Sequence, residues 1–499
     1  MSAGTRVVVV TGGGNGIGAA VAAELHRQGW YVVIVDPMLS LDGSEKVAAP
    51  PTPEHVDRAV DLSVTDAGGV RALFASLADE FGALDAVINV AGISRPTSFT
   101  AGSEEDWRAV LDVHLNGYRA VLAAALPLMA TAGHGRVLGV TSGSGWRLGD
   151  AGAYGCAKRA VAALTWQLGA CAPDGVTVNA MSPIAVTRMV TAALERAGGG
   201  GAKGANAGPL FGTMPQPEEI GPLGAFLVSD EFTWCTGEII FAGGSETAIV
   251  EAPRLLEVIP VDALPVAGAA LIKAEASQQS GGGSNPRFAA AAVAEALPSA
   301  IATCALVSDR AAVAEAITAA LKERGVECTT ITTSEELGDA DALVVALAGS
   351  PASASPTWEG VLAEHDDVAD QLFIDAMWAR AVADSARPMR LLTLTDAATA
   401  GGFSRAQAAA QHARPARKTT QDRVAAFAVS DEGASPDDLG AFAAWLLCTP
   451  ETVDLSGAEL VAGDGFYGLR SHPRASTSIV LGGAVVPEWV NAALQDVIR

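Results

Sequence analysis

Tyrosine is scarce in this 499-residue chain: there are 4, and none lies between Tyr154 and Tyr467. Cysteine is nearly as rare, with 6 residues that show no CxxC spacing. The 7 histidines (26, 55, 114, 134, 365, 412, 472) form no HxxxH pair, so zinc chemistry has no ligand set to rest on. Basic residues are outnumbered, 32 Lys and Arg against 56 Asp and Glu, giving a net charge of −24. That balance argues against nucleic acid and anionic membrane surfaces as partners. No apolar run of membrane-spanning length is free of charges and glycines, so no membrane span is expected. The opening MSAGTRVVVV enters a strand-like run without a signal-peptide pattern, and with the scattered thiols this predicts a reduced, cytoplasmic protein.

What is present is length and apolar content. At 499 residues and 49% hydrophobic, the chain predicts two or three packed domains. Residues 6–10 are a continuous apolar run, followed by a glycine-rich turn and a helical pattern from Ala19 to Gln28. A second run, 31–35, ends at Asp36 and completes a βαβ unit. Further strand-like runs at 56–60, 85–90, 136–141, 175–180 and 238–241 alternate with helix-length segments. Such alternation predicts a parallel sheet covered on both faces. Segment 188–214 contains AGGGGAKGANAG and is expected to form a mobile lid over a substrate. SQQSGGGS at 277–284 has the composition of a linker.

The second half reads as an eroded copy of the first. Residues 304–332 lay over the opening βαβ unit without a gap, matching Leu25 and Gly29 to Leu321 and Gly325. DALVVALAG (341–349) echoes DAVINVAG (85–92), and TWEGVLAEH (357–365) echoes DWRAVLDVH (106–114). SPDDLGAFAAWLLC with SGAELVAGDG (435–465) echoes QPEEIGPLGAFLVS with TGEIIFAGGS (216–245). The erosion is selective: Gly12, Gly16 and Gly18 face Ser308, Ala312 and Ala314, Asp36 faces Thr332, and Ser142 faces Asp396. The copy is also expected to be one strand and one helix short, because its second and third strand-like runs are nearly adjacent. With no tyrosine to stand in for Tyr154, it cannot run the same chemistry.

That chemistry is written in two places. In TGGGNGIG, Gly12 permits a sharp reversal after the strand, while Gly16 and Gly18 remove side chains so that a diphosphate can approach a helix amino terminus. Asp36, at the end of the next strand, suits two ribose hydroxyls and repels a 2′-phosphate, and Pro37, Met38 and Leu39 supply no cation. NAD is therefore expected over NADP. The second place is TSGSGWRLGDAGAYGCAK, where Tyr154 and Lys158 stand one helical turn apart, downstream of Ser142. A lysine at i+4 is expected to lower the tyrosine's pKa from about 10, letting it take a proton from an alcohol while Ser142 holds the oxygen. Ser142 ends an apolar strand, which distinguishes this YxxxK from an ordinary exposed helix pair.

These motifs carry a family resemblance. Over residues 5–250 the chain resembles the short-chain dehydrogenase/reductases through TGGGNGIG, Asp36, DLS at 61–63, NVAG at 89–92, HLNGY, Ser142, Tyr154 and Lys158. The resemblance implies that Gly12, Asn15, Gly16, Ile17 and Gly18 hold the cofactor and that Asp61 and Leu62 flank its adenine. It implies further that Asn89, Ala91 and Gly92 support it and that Thr187 contacts the carboxamide. Asn116 is expected to kink its helix and relay protons from Lys158, which also binds the nicotinamide ribose. The family's common PG is Pro183-Ile184 here, so Pro183 lies in a nicotinamide-side loop of different backbone. SPIAVTRM is similar to the branch holding the (3R)-hydroxyacyl-CoA dehydrogenase units of peroxisomal multifunctional enzymes.

Other candidates read as structural. Cys156 is expected to pack, His114 to lie on a helix face, and Glu104-Glu105 and Glu218-Glu219 to favour helix starts. Arg95 and Arg147 follow motif loops and could meet a carboxylate or CoA phosphate. The fold expected is α/β, with two doubly wound Rossmann-type units: 1–257 catalytic, 258–300 linker, 301–475 degenerate and 476–499 a tail. The function expected is NAD-dependent interconversion of a secondary alcohol and a ketone, on a 3-hydroxyacyl-CoA, a steroid or another hydrophobic alcohol. The alternative is a catalytically silent nucleotide-binding regulator. As partner, the degenerate half is expected to make the chain an internal pseudo-dimer, and two chains a homodimer that imitates a tetramer.

Overall fold

The computed structural model describes residues 5–47, 56–196, 214–281, 300–353 and 356–498. Strand β1 (Val7–Thr11) is buried at every position, as β-branched residues inside a sheet covered on both faces should be. The chain reverses through Gly12, at φ 65°, into α1 (Gly16–Arg27), which is closed by Gly29 at φ 85°. β2 (Tyr31–Val35) pairs parallel to β1, and β3 (Arg58–Val60) lies outside it. Next come α2 (Ala67–Phe81), β4 (Ala86–Asn89), α3 (Glu104–Leu111), a π turn at Asp112–Asn116, and α4 (Gly117–Ala132). Glu104 and Glu105 do fall in the first turn of α3, behind a Ser103–Asp106 capping box. β5 (Gly135–Val140), α5 (Gly152–Gly169), β6 (Val176–Pro183), α6 (Arg188–Arg196) and α7 (Gly221–Phe226) follow. The antiparallel pair β7 (Ile239–Ala242) and β8 (Glu246–Glu251) ends this unit.

The second unit opens with β9 (Leu255–Pro260), α8 (Leu264–Gly281), β10 (Thr303–Ser308), α9 (Ala311–Glu323), β11 (Glu327–Thr330) and β12 (Ala342–Ala346). α10 (Trp358–Glu364), α11 (Val368–Asp384), β13 (Met389–Asp396), α12 (Ala400–Ala413) and α13 (Ala416–Thr419) continue it. It closes with β14 (Val424–Glu432), α14 (Pro436–Cys448), β15 (Glu459–Gly463) and β16 (Phe466–Arg470), before β17 (Arg474–Val480) and α15 (Val490–Ile498). The first sheet runs β17-β8-β7-β6-β5-β4-β1-β2-β3 and the second β11-β10-β12-β13-β14-β15-β16-β9. Aligned on each other, the orders leave β3 without a counterpart. Where α2 should follow, the second unit has only a 3₁₀ turn, Ser334–Leu337. The repeat is also exact in detail: Trp30 N–H donates to Leu25 O at 3.1 Å, as Val326 N–H does to Leu321 O at 3.0 Å.

The boundaries drawn from composition fall elsewhere in the structure. β9 follows the last strand of the first unit yet pairs with β16 of the second, so residues 255–260 belong to the second sheet. β17 follows β16 yet pairs with β8, so residues 474–480 return to the first sheet. The expected tail is thus an outer strand plus α15, whose Val490 and Leu494 sit in the first unit's core. Likewise, α8 occupies part of the expected linker and buries Leu271 against the second unit. The two units therefore exchange their final strand–helix arms. Edge strands with mostly exposed residues leave little trace in composition, and only pairing across the chain reveals them.

The units also share a core. α12 lies along α5, α11 along α3 and α10 against α4. Trp107, Ala157 and Val161 of the first unit join one apolar cluster with Leu362, Leu372 and Phe373 of the second. Inside the contact, Arg159 is 1% exposed and donates to Glu459 Oε1 at 2.6 Å and to Gln407 Oε1 at 2.6 Å. His472 Nδ1 meets the same carboxylate at 2.9 Å. Burial opposes both charges, but the pairing prevails and holds Glu459 at a pKa of about 2. No described helix is long and apolar enough to cross a membrane.

One consequence is measurable. Replacing Arg159 alone by Leu strands a buried carboxylate and should cost about 3–5 kcal/mol in chemical denaturation. Adding Glu459→Leu should recover most of that loss; a further loss instead would mean that the pair is not what holds this region together.

Candidate active site

The loops after β1, β2, β4, β5 and β6 face one cleft of about 260 Å³ at the carboxyl edge of the first sheet. Gly12, Asn15, Gly16 and Ile17 line one end, with Asp36 and Leu62 beside them. Ala91, Gly92, Ser142, Tyr154, Lys158, Pro183 and Thr187 complete the lining, with Thr187 close to Gly16. A methyl group on Gly12 would meet Ala91 N at 2.7 Å, and on Gly18 the Gly12 carbonyl oxygen at 2.2 Å. On Gly16 it would meet nothing nearer than Thr187 Cγ2 at 3.7 Å. Gly12 and Gly18 thus fold the turn, and Gly16 leaves space above the start of α1. Asn15 makes no side-chain cap there, so the amino terminus of the helix suits a diphosphate. The donor set fits a dinucleotide.

Asp36 accepts from Gly14 N–H at 3.0 Å and Met38 N–H at 2.8 Å, which fixes its carboxylate at the cleft edge with further lone pairs to offer. Asp61 is exposed and paired with Lys46 rather than lining the cleft. Asn89 is buried behind it, accepting from Thr11 Oγ1 at 2.7 Å, and Thr11 Oγ1 accepts in turn from Ala91 N–H at 3.3 Å. Asn89 therefore braces the loop that carries Ala91 and Gly92.

α5 places Tyr154 and Lys158 on one edge, and Ser142 lines the same cleft. Lys158 Nζ donates to Val140 O at 2.6 Å and lies 5.8 Å from the Tyr154 ring centre. The expected lowering of the tyrosine's pKa is not what this site does by itself. Burial raises it, only partly offset by the Ser142 bond, and burial brings Lys158 down to about 7. Both groups are pushed toward neutrality because the chain gives neither a paired counter-charge.

The structure corrects the proton-relay assignment as well. Asn116 does not line the cleft; its Nδ2 donates to Asp112 Oδ1 at 2.9 Å, within the π turn. His114 takes the place by the tyrosine, edge-on to the Tyr154 ring with centroids 5.0 Å apart. Its Nε2 meets Ile93 O at 2.8 Å, and burial with the nearby Lys158 charge lowers its pKa to about 3, so it is neutral. Two residues apart on a helical turn face nearly opposite ways, about 200° by helix geometry, so both cannot reach the site. A signal for His114 existed in its repetition as His365, also buried, although repetition alone could not separate packing from function. Gly92 follows from the same contact, since a methyl there would strike the His114 ring at 2.4 Å.

The remaining candidates sort by geometry. Arg95 is tied to Asp42 O at 2.9 Å, Glu105 and Asp106, and is not free to receive an anion. Arg147 lies over the Trp146 ring, 4.7 Å from its centre, beyond the lining of the cleft. Cys156 is buried and its thiol pKa pushed up, as a packing residue requires. Arg188, Met189 and Val190 of α6 line the cleft, while residues 197–213 of the expected lid lie outside the described residues. In the second unit, Arg310 of the turn after β10 pairs with Asp431 on β14, bridging the strand ends where the first unit keeps its cleft. No group of side chains suited to a metal ion occurs among the described residues.

Residues 12–244 match a family profile described as enoyl-(acyl carrier protein) reductase. The short-chain reductase protein NovJ of Streptomyces niveus is 36% identical over 245 residues, 48% of this chain and 92% of its own. Cis-4-hydroxycyclohexanecarboxylate dehydrogenase of Sinomonas cyclohexanicum is 35% identical over 249 residues, 49% of this chain and 97% of its own. Meso-2,3-butanediol dehydrogenase of Serratia marcescens is 32% identical over 255 residues, 50% of this chain and 98% of its own. Relatives this similar, matched almost end to end by one half of the molecule, make the chain a member of the short-chain dehydrogenase/reductase family, oxidoreductases that use NAD(P) on CH–OH groups.

Proposed function

We propose that the first unit is an NAD-dependent dehydrogenase that interconverts a hydrophobic secondary alcohol and its ketone. The observation that carries this reading is the single cleft running from the glycine turn and Asp36 to Ser142, Tyr154 and Lys158. When bound, the nicotinamide accepts or donates the hydride. The chain's own residues handle the oxygen and the proton. Ser142 and Tyr154 line the same cleft and together can receive an alcohol oxygen. Tyr154 moves the proton, and Lys158, one turn on, supplies a nearby positive charge when protonated. Partial burial raises the pKa of Tyr154, so its neutral form suits donation to a ketone and its ionised form, at higher pH, the reverse.

Asp36 supports NAD over NADP, because its carboxylate stands where a 2′-phosphate would add like charge. Ile93, Val113, Met189 and Val190 give the substrate end an apolar wall. Arg95, engaged by Glu105 and Asp106, does not offer itself to a CoA phosphate, and the apolar wall supports a hydrophobic alcohol. The alcohols in the names of relatives, a hydroxycyclohexanecarboxylate and a butanediol, are secondary, which supports that part of the reading. The silent-regulator reading finds no support in the first unit, where the reacting group is complete.

A screen and three further outcomes test the reading. Screening the protein with NAD against secondary alcohols should reveal reduced nicotinamide by absorbance. Tyr154→Phe should cut that turnover by about 10²–10⁴-fold while leaving dinucleotide binding intact; unchanged turnover would refute the mechanism. Asp36→Ala should narrow a preference for NAD over NADP of about 100-fold or more in kcat/KM, the scale of a like-charge clash. The third test concerns Lys158. Its pKa falls from an ordinary 10.5 to about 7 on folding, so between those values the unfolded chain binds the extra proton. Stability should therefore rise from pH 7 toward 10, and urea midpoints of Lys158→Met should rise less across that window. Neighbouring His114 is neutral throughout and does not contribute.

A further inference from the structure

The turn that presents Ser142 is held from the other half of the chain. Ser142 caps a short 3₁₀ turn, Gly143–Gly145, and its Oγ accepts from Ser144 N–H at 3.2 Å. The carbonyl groups of this turn point toward α12. Gln411 Nε2 donates to Ser144 O at 3.1 Å and Arg147 O at 3.0 Å. Arg414 Nη1 donates to Trp146 O at 2.7 Å and to Gln411 Oε1 at 3.2 Å, which fixes the amide's orientation. Gln411 is 3% exposed, so water cannot replace it without opening the interface. On its other face the turn lies directly on α5: a methyl at Gly145 would meet the Lys158 carbonyl carbon at 2.8 Å. The Trp146 indole N–H, donating to Ser182 Oγ at 2.9 Å, ties the far end of the turn to β6.

We propose that Gln411 and Arg414 are positioning residues for the reaction of the first unit, clamping the 143–147 turn so that Ser144 N–H holds Ser142 Oγ beside Tyr154 and toward the substrate oxygen. The proposal rests on the oxidoreductase reading and gives the degenerate half a part in it. The physical reason is that an irregular turn has no ladder of its own. Its half-buried carbonyl groups need partners, and donors on a packed helix hold them more firmly than solvent. Small displacements of a reacting group are costly: about 1 Å of misplacement can cost on the order of 10²-fold in rate.

The test uses the full chain with Gln411→Leu, Arg414→Met and Arg414→Lys, and with Gln167→Ala as a control. Gln167 makes a comparable cross-unit bond to Ser404 Oγ at 2.9 Å without touching the turn. Hydrogen exchange of amides 143–147 should quicken about tenfold or more in the Leu and Met variants, the scale of losing one or two hydrogen bonds. Exchange at the glycine turn and affinity for the reduced dinucleotide should stay within about twofold, since that end of the cleft touches neither residue. Turnover of an alcohol accepted by the wild type should fall about 10–100-fold in kcat with little change in the KM for NAD. Arg414→Lys should restore part of it and Gln167→Ala should behave as wild type. Unchanged exchange in the turn, unchanged kcat, or a parallel loss of dinucleotide affinity would each overturn the proposal. A wild-type chain that oxidises no alcohol would count against the oxidoreductase reading, and the exchange result would still decide whether the clamp holds.

Discussion

Helix α5 is buried along nearly its whole length, and the rest of the molecule is arranged around that fact. Tyr154 and Lys158 share the edge that faces the cleft. Gly155 and Arg159, one residue on, lie about 100° further round, by helix geometry, and face α12. The chemical edge and the packing edge are therefore neighbours on one cylinder. Small residues on both helices, Ala157 and Ala160 of α5 and Ala408 of α12, share one apolar cluster and let the backbones approach closely. An α5 without a partner would expose a broad apolar stripe with an arginine in its middle. This gives a physical motive for a second half that has kept its helix face while losing its glycine turn, its acidic strand end and its tyrosine.

The same burial sets the electrostatics. Arg159 is charged inside the protein because Glu459 and Gln407 meet it, whereas Lys158, the next residue, has only a backbone carbonyl. Burial lowers the pKa of both cations, but the Glu459 carboxylate opposes that shift at Arg159, while Lys158, without a counter-ion, comes down to about 7. Tyr154 follows the same rule. A site made of buried, unpaired ionisable groups is responsive to whatever charge a ligand brings, which is the condition a proton-transfer pair requires.

Much of this was legible in the chain. The seven strand-like runs of the first half all became strands, since β-branched runs closed by turn residues carry their own signal. The repeat was legible too, down to Leu321 and Gly325, because each unit must build the same helix end. The adenine-edge deletion followed from spacing alone. Asn116 failed for a definite reason: a motif gives the helix but not its phase, and two positions turn a side chain away from the site. The lowered tyrosine pKa failed because spacing announces a neighbouring lysine but not the burial that outweighs it.

Sequence by itself determined what depends on a few consecutive residues: the glycine turn, the i,i+4 pair, the strand-end aspartate and the absence of a second tyrosine. Tertiary structure alone decided what depends on distant segments meeting. β9 and β17 trade sheets, His114 rather than Asn116 faces the tyrosine, and Gln411 and Arg414 reach the turn of Ser142. Local patterns are enforced by the bonds within one turn of chain. Edge pairing, helix phase and cross-unit hydrogen bonds are chosen by packing, and packing is a property of the whole.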